Sequence, residues 1–249
     1  MIRDLFIDLD GELLDLHCRL HLCGRNEMTL SPTVFQLDLH QPSESTAGQL
    51  SSGKNIAVHS TFGSVLATGT ILDVLTETRE GKRITSVIFS DSLPFTDSFV
   101  SASFPAGTSF RTIAENLLFS CTVPLTLAGF TAADRTFPRG ISFFGSTADA
   151  LRALAADLNA DVFLFRSAIY VLGRNTVPDV IELTPEDVLD AVSSGKDVRI
   201  LTTAMKGWPI GAMMRLGDLQ GQIICQSFDA DTGEGPWSTK VILRGISNG

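Results

Sequence analysis

Apolar and polar residues alternate with a period of two along most of this chain, and only its middle departs from that pattern. Leu5, Ile7 and Leu9 alternate into Asp10-Gly11, with Leu13 beyond, the strongest short signal for a β-hairpin. Residues 16–22 and 34–39 read as further strands on either side of Pro32. The polar run 41–54 reads as a loop containing a short turn of helix. Residues 56–58, 65–67, 71–75 and 84–89 are short strands, with the charged segment 79–83 as a turn. Many short strands with frequent turn residues predict a small barrel or sandwich.

Between 104 and 173 the period changes. Phe110, Ile113, Ala114, Leu117 and Leu118 form one apolar helical stripe, preceded by Thr108 and Ser109 as candidate caps. Leu151, Leu154, Ala155 and Leu158 form a second stripe. Ser146 precedes it, with Asp149 three residues on, an Asp-for-Glu capping box. The period then returns to two, predicting strands at 162–165 and 169–172 joined through 166–168. Residues 93–103, with Pro94, read as a linker, and 123–145, with Pro124, as short extended pieces joined by turns. After 174, Thr184-Pro185-Glu186-Asp187 predicts a helix of about two turns ended by Ser193-Ser194-Gly195. Strands at 198–201, 213–216, 222–226 and 240–243, separated by glycines and Pro209, predict a second small barrel.

The expected fold is therefore mainly β with a small α/β insert. Two small β-barrel domains, 1–95 and 175–249, flank a central helix-plus-hairpin domain at 96–174, the last one entered through the short helix.

Composition narrows the function more by exclusion than by assignment. The 249 residues carry 19 basic and 28 acidic side chains, a net charge of −9, with no run of Lys or Arg. Tight nucleic-acid binding needs a concentrated cationic face, so none is expected. Sixteen Phe against one Tyr and two Trp favour aromatic core filling over Tyr- and Trp-rich binding surfaces. Cys18, Cys23, Cys121 and Cys225 form no disulfide framework, which points to a reducing compartment. The first ten residues lack the apolar core of a signal peptide, and no window is long enough to span a bilayer, so a soluble protein without membrane insertion is expected.

Candidate chemistry is sparse. His17, Cys18, His21 and Cys23 are the densest metal-capable group, and on a strand His17, His21 and Cys23 share a face. Zinc sites use close pairs on turns with ligands from elsewhere, and the remaining histidines, His40 and His59, would have to be brought in by the fold. A strand with polar His on one face and Cys18, Leu20 and Leu22 on the other accounts for the pattern, so no metal is expected. Asp8/Asp10 flank a turn. The Asp229/Asp231 pair lies in Asp229-Ala230-Asp231-Thr232-Gly233, which reads as a solvated hairpin loop without the later Glu of a calcium loop. There is no Gly-x-Ser-x-Gly elbow, P-loop or dinucleotide fingerprint. Trp208, in Lys206-Gly207-Trp208-Pro209, reads as a surface anchor or the plug of a small barrel. No catalytic, cofactor-binding or metal residue is assigned, and no cofactor is expected.

Three segments, in this order, resemble the baseplate hub or tail hub proteins of tailed bacteriophages and related contractile injection machines. The first runs from Ser31-Pro32-Thr33-Val34-Phe35-Gln36-Leu37 through Leu50, Gly53-Lys54 and Leu66 to Gly69, Ile71 and Val74. The second runs from Gly145-Ser146-Thr147-Ala148 to Leu172, and the third from Met205-Lys206-Gly207-Trp208-Pro209 and Gly211 to Trp237-Ser238-Thr239-Lys240-Val241. The resemblance implies a structural virion protein and not an enzyme. It implies a homotrimer in which two related barrels per chain make a pseudo-six-fold ring, joining the tail tube to a central spike or tip around a channel. Tail tube protein, spike or tip protein, other baseplate proteins, tape measure protein and transiting DNA are the implied partners. The implied location is the virion tail baseplate, assembled in the bacterial host cytoplasm. The chain ends at Gly249, just past the last barrel, so a lysozyme-like or spike domain is expected as a separate protein. The competing readings are a peptidoglycan-degrading hydrolase of the tail tip and a receptor- or polysaccharide-binding module; the single Tyr170 weakens the last.

Overall fold

The alternating pattern at the N-terminus becomes β1 (Leu5–Leu9) and β2 (Glu12–Leu13), joined through Asp10 and Gly11 at φ 55° and 90°, the left-handed pair that a two-residue hairpin turn demands. The computed structural model describes residues 3–61, 63–91, 95, 98–121, 125–174, 180–194 and 197–245. Pro94, Pro124 and Gly195, singled out above as punctuation, lie outside the described residues.

Along the chain follow β3 (Arg19–Glu27), β4 (Val34–His40), α1 (Glu44–Gln49), β5 (Asn55–Ser60), β6 (Val65–Arg79) and β7 (Lys82–Ser90). Then come β8 (Phe99–Phe104), α2 (Phe110–Phe119), β9 (Thr126–Phe130), β10 (Ile141–Ser146), α3 (Thr147–Asp157), β11 (Ala160–Phe165) and β12 (Ala168–Gly173). The last part holds β13 (Val180–Glu182), a 3-10 turn at Pro185–Asp187, β14 (Val188–Ser194), β15 (Asp197–Thr202), β16 (Met213–Leu216), β17 (Leu219–Asp231) and β18 (Trp237–Gly245).

These elements form two compact units. Unit 1 comprises Met1–Glu27, Thr33–Asp91 and Pro178–Gly249. Its strands follow one path of hydrogen-bonded neighbours, β14-β15-β18-β17-β3-β4-β7-β6-β5-β1-β2, with β13 and β16 branching from β17. The expectation of two closed barrels is corrected here: among the described residues the path does not return on itself, and strands from both flanks share one sheet. The junction is the antiparallel pairing of β17 with β3, from Cys225 opposite Glu27 to Asp231 opposite His21. Alternation predicts a strand's faces but not which distant strand completes its edge. The buried face carries the core, in which Leu22, Leu37, Val58 and Val87 are fully inaccessible and Phe35 stacks on Phe89 at 5.3 Å between ring centres.

The stretches 65–67 and 71–75, expected as separate strands, are one 15-residue strand, β6. Gly69, between the two expected strands, permits close approach: a Cβ there would sit 2.3 Å from the carbonyl oxygen of Ser90 on β7, next to the bulge between Ile71 and Asp73. The helix expected from Thr184 is also corrected. One 3-10 turn forms, with Thr184 Oγ1 donating to Asp187 Oδ2 at 2.7 Å. Residues 188–194 then pair as β14 along β15, since a sheet edge supplies main-chain partners that a short helix start cannot match.

Unit 2 comprises Met28–Pro32 and Ser92–Val177. Both apolar stripes form helices as read. Ser109 accepts from the amide of Thr112 at the start of α2, and Ser146 from that of Asp149 at the start of α3. Their buried faces, Phe110, Ile113, Ala114, Leu117 and Leu118 against Ala150, Leu151, Leu154 and Ala155, share one core with Ile169 and Val171. The β11–β12 hairpin turns on Arg166 and Ser167, both at positive φ, and β12 pairs in parallel with β9. Part of the expected linker 93–103 is instead β8, paired antiparallel with β10.

Candidate functional site

Directly opposed residues of antiparallel strands put their side chains on the same face. Across β17, β3, β4 and β7 this rule builds one polar row: Asp231, His21, Asp38 and Ser86 are in register. Arg19 stands opposite His40, and Cys23 opposite both Asp229 and Gln36. The other face of the same strands holds Leu20, Leu22, Leu37, Leu39, Phe228 and Ala230, all in the core.

The row is tied together by short polar contacts. Arg19 Nε donates to Asp231 Oδ1 at 2.6 Å, and its Nη2 reaches Oδ2. The Gly233 amide also donates to Asp231 Oδ1, at 2.8 Å. His21 Nε2 lies 2.8 Å from Asp229 Oδ1. Asp38 Oδ1 accepts from Ser86 Oγ at 2.7 Å and from Gln36 Nε2 at 2.9 Å. The Arg19 guanidinium, and to a lesser degree the Gly233 amide, hold the Asp231 carboxyl below the usual carboxylate range, against the effect of burial. Burial, with Arg19 adding to it, pushes His40 below the ordinary imidazole value.

Asp231 is therefore not part of a solvated loop as its sequence context suggested. It is buried, and the hairpin between β17 and β18 is fastened over it. The Thr232 amide donates to the Leu20 carbonyl and the Leu20 amide to Thr232 Oγ1, each at 2.9 Å. Gly233 and Gly235 leave room for this closeness: a Cβ on Gly235 would lie 2.1 Å from Asp231 Oδ2, and one on Gly233 2.7 Å from Arg19 Nε. Sequence reasoning missed Arg19 because its partner lies on a strand from the other end of the chain.

The His/Cys group is not assembled as read. β3 begins at Arg19, so His17 and Cys18 precede the strand, and His17 is highly exposed with Asp15 Oδ1 at 3.3 Å. His21 and Cys23 do share a face. Burial pushes the thiols of Cys18 and Cys23 upward, the opposite of an activated thiolate. Among the described residues no group of three or more His, Cys, Asp or Glu is arranged to hold a metal ion. Asp8 and Asp10 serve the turn: Asp8 Oδ1 accepts from the Gly11 amide at 2.7 Å and Asp10 Oδ1 from the Asn55 amide at 2.9 Å. Trp208 is buried, which removes the surface-anchor reading. Among the described residues no helix is long and apolar enough to cross a membrane.

No protein-family profile and no curated protein sequence matches the chain. Solved structures do. The chain superposes on the 43 kDa tail protein of prophage MuSo2 from Shewanella oneidensis with a TM-score of 0.70 at 12% identity, covering 98% of this chain and 97% of that one. A tail protein from Neisseria meningitidis MC58 gives 0.66 at 12% identity over 96% of each chain. The E. coli c3393 protein, a type VI secretion system component described as structurally similar to the T4 bacteriophage tail proteins gp27 and gp5, gives 0.66 at 12% identity, over 97% of this chain and 77% of that one. The chain thus has the fold of phage tail proteins, over nearly its whole length.

Proposed function

We propose that this chain is a structural component of a bacteriophage tail or related injection machine: the baseplate or tail hub, a homotrimeric ring that joins the tail tube to the central spike or tip around a channel. The observation that carries this reading is the fold shared end to end with two tail proteins, with almost nothing left over on either side. In this reading 1–95 and 175–249 are two barrel-like modules that meet through the β3–β17 ladder, with 96–174 between them in the chain. Three copies then offer six related β surfaces to a six-fold tube, and closed cyclic symmetry terminates the assembly. The net charge of −9 suits a wall that transiting DNA must not adhere to.

The chain acts without catalysis in this reading. The buried carboxylate Asp231 is engaged by Arg19 and by the Gly233 amide in fastening a hairpin, a structural use of its charge. Its partners are tube, spike and baseplate proteins, and its place is the virion tail.

Reconstruction of an assembled particle with this chain identified in it tests the proposal. Three copies around the axis at the tube tip are expected. Six or more copies stacked along the tube, or a position only on peripheral fibres, would overturn it.

A further inference from the structure

The path of strands in unit 1 ends at β1 and the two-residue β2, and beside them lies a cavity of about 440 Å³. That volume falls in the roughly 300–1,000 Å³ range of clefts that hold ligands. Leu14 and Leu16 line it, with Cys18 beside them. Phe6 and Leu13 line it too and are 40% and 67% exposed, so apolar surface faces water here. Two carboxylates, Asp4 and Asp15, share the lining with Leu5, Leu20 and Thr232.

The surroundings are acidic. Asp8, Asp10 and Glu12 follow in the same hairpin, so residues 3–15 carry five carboxylates and one guanidinium, that of Arg3. Arg3 is engaged with main chain on the Thr232 side of the cavity: its Nη1 donates to the carbonyls of Gly233 and Gly235 at 3.2 and 3.0 Å. Asp15 Oδ1 lies 3.3 Å from His17 Nε2, with both side chains almost fully solvated. β2 is the last strand of the path, so its outer edge has no strand partner among the described residues.

We propose that this cavity receives an extended segment of another protein chain in which one large apolar side chain is flanked, two residues away on each side, by Lys or Arg. Residues two apart on a strand share a face, so the apolar group enters the cavity while both cations meet the acidic rim. The apolar insertion removes Phe6 and Leu13 from water, and the β2 edge supplies main-chain partners. Charge selects against other occupants. The other end of the strand path, β14, carries Asp190 and follows Glu186 and Asp187, so a second copy docking by that edge would place acid against acid. Nucleic acid fails for the same reason. The selection rests on the cavity's own chemistry and holds whether or not the chain forms a ring.

The test uses the full chain and a fluorescein-labelled heptapeptide, Thr-Lys-Thr-Phe-Thr-Lys-Thr, followed by anisotropy. Saturable binding is expected. It should weaken about tenfold in the Asp4→Asn/Asp15→Asn double variant, as the loss of two exposed ion pairs implies. It should weaken similarly when Glu replaces both Lys of the peptide, and more when Ser replaces its Phe. Both carboxylates are exposed, so the double variant should keep the wild-type melting temperature. Position is read separately: in a Cys23→Ser background, the peptide should slow alkylation of Cys18, a residue of the cavity lining. No saturable binding, equal binding of the Lys and Glu peptides, or binding that leaves Cys18 alkylation unchanged would each overturn the proposal.

Discussion

Arg19 and Asp231 stand 212 positions apart in the chain and form a two-pronged ion pair between β3 and β17. The carboxylate side chain is 4% exposed and the guanidinium 46%. The two partners therefore stand in unequal positions: one is committed to the interior, while the other can return to water.

That asymmetry predicts unequal costs. Arg19→Ala leaves a buried carboxylate that keeps the hydrogen bond from the Gly233 amide but loses its counter-charge, and should cost about 2–4 kcal/mol. Asp231→Asn leaves a cation that water can reach and should cost about 1–2 kcal/mol. Urea unfolding of both single variants and the double variant measures the difference and the coupling. Equal costs with no coupling would show that the pair does not hold β17 to β3.

The same residues set an acid response. Asp231 has a folded pKa depressed chiefly by Arg19, so its contribution is complete above the unfolded carboxylate value of about 3.9 and is lost as pH falls through the folded value. His40 is depressed chiefly by burial. The unfolded chain therefore binds its proton more readily, and stability declines as pH drops below about 6.5. Thermal melts across this range should show His40→Gln flattening the upper part of the decline and Asp231→Asn the lower part. An unchanged slope near neutrality in His40→Gln would reject the histidine's part.

Two glycines allow a test of close approach. A Cβ on Gly24 would lie 2.1 Å from the ring of Phe35, and one on Gly69 would lie 2.3 Å from the backbone oxygen of Ser90. A ring can be trimmed and a backbone cannot. Gly24→Ala should cost about 2–3 kcal/mol and recover part of that in a Phe35→Leu background, whereas Gly69→Ala should cost at least as much with no such rescue. Chemical denaturation of the four variants decides it.

Leu154 sits fully buried on α3, in one core with Leu117 and Leu118 of α2 and with Ile169 of β12. Leu154→Asp places a carboxylate there at a cost of several kcal/mol, on the order of a domain's whole stability. The variant should be recovered unfolded or insoluble. A soluble variant with a wild-type melting curve would show that this stripe is not core.

His17 precedes β3 while His21 and Cys23 lie within it, so no stoichiometric zinc is expected. Elemental analysis of protein purified without chelator is the measurement; near one zinc per chain would contradict it.

The local features of this fold were legible because their information is local. Asp10-Gly11 and Glu80-Gly81 carry the left-handed turns their hairpins need, and Ser109 and Ser146 cap helices whose apolar stripes follow within a few residues. The order of three weak segments also pointed to the fold that the solved tail proteins share. Tertiary structure decided the rest. Residues 188–194 follow a helix-start signal yet become β14, because β15 offers a ladder along six register positions. Asp231 reads as solvated until β3 arrives with Arg19. Whether two runs of strands close separately or join in one sheet depends on edge pairing between β3 and β17, from opposite ends of the chain. No periodicity records that choice, since the main-chain groups that make it are the same in every residue.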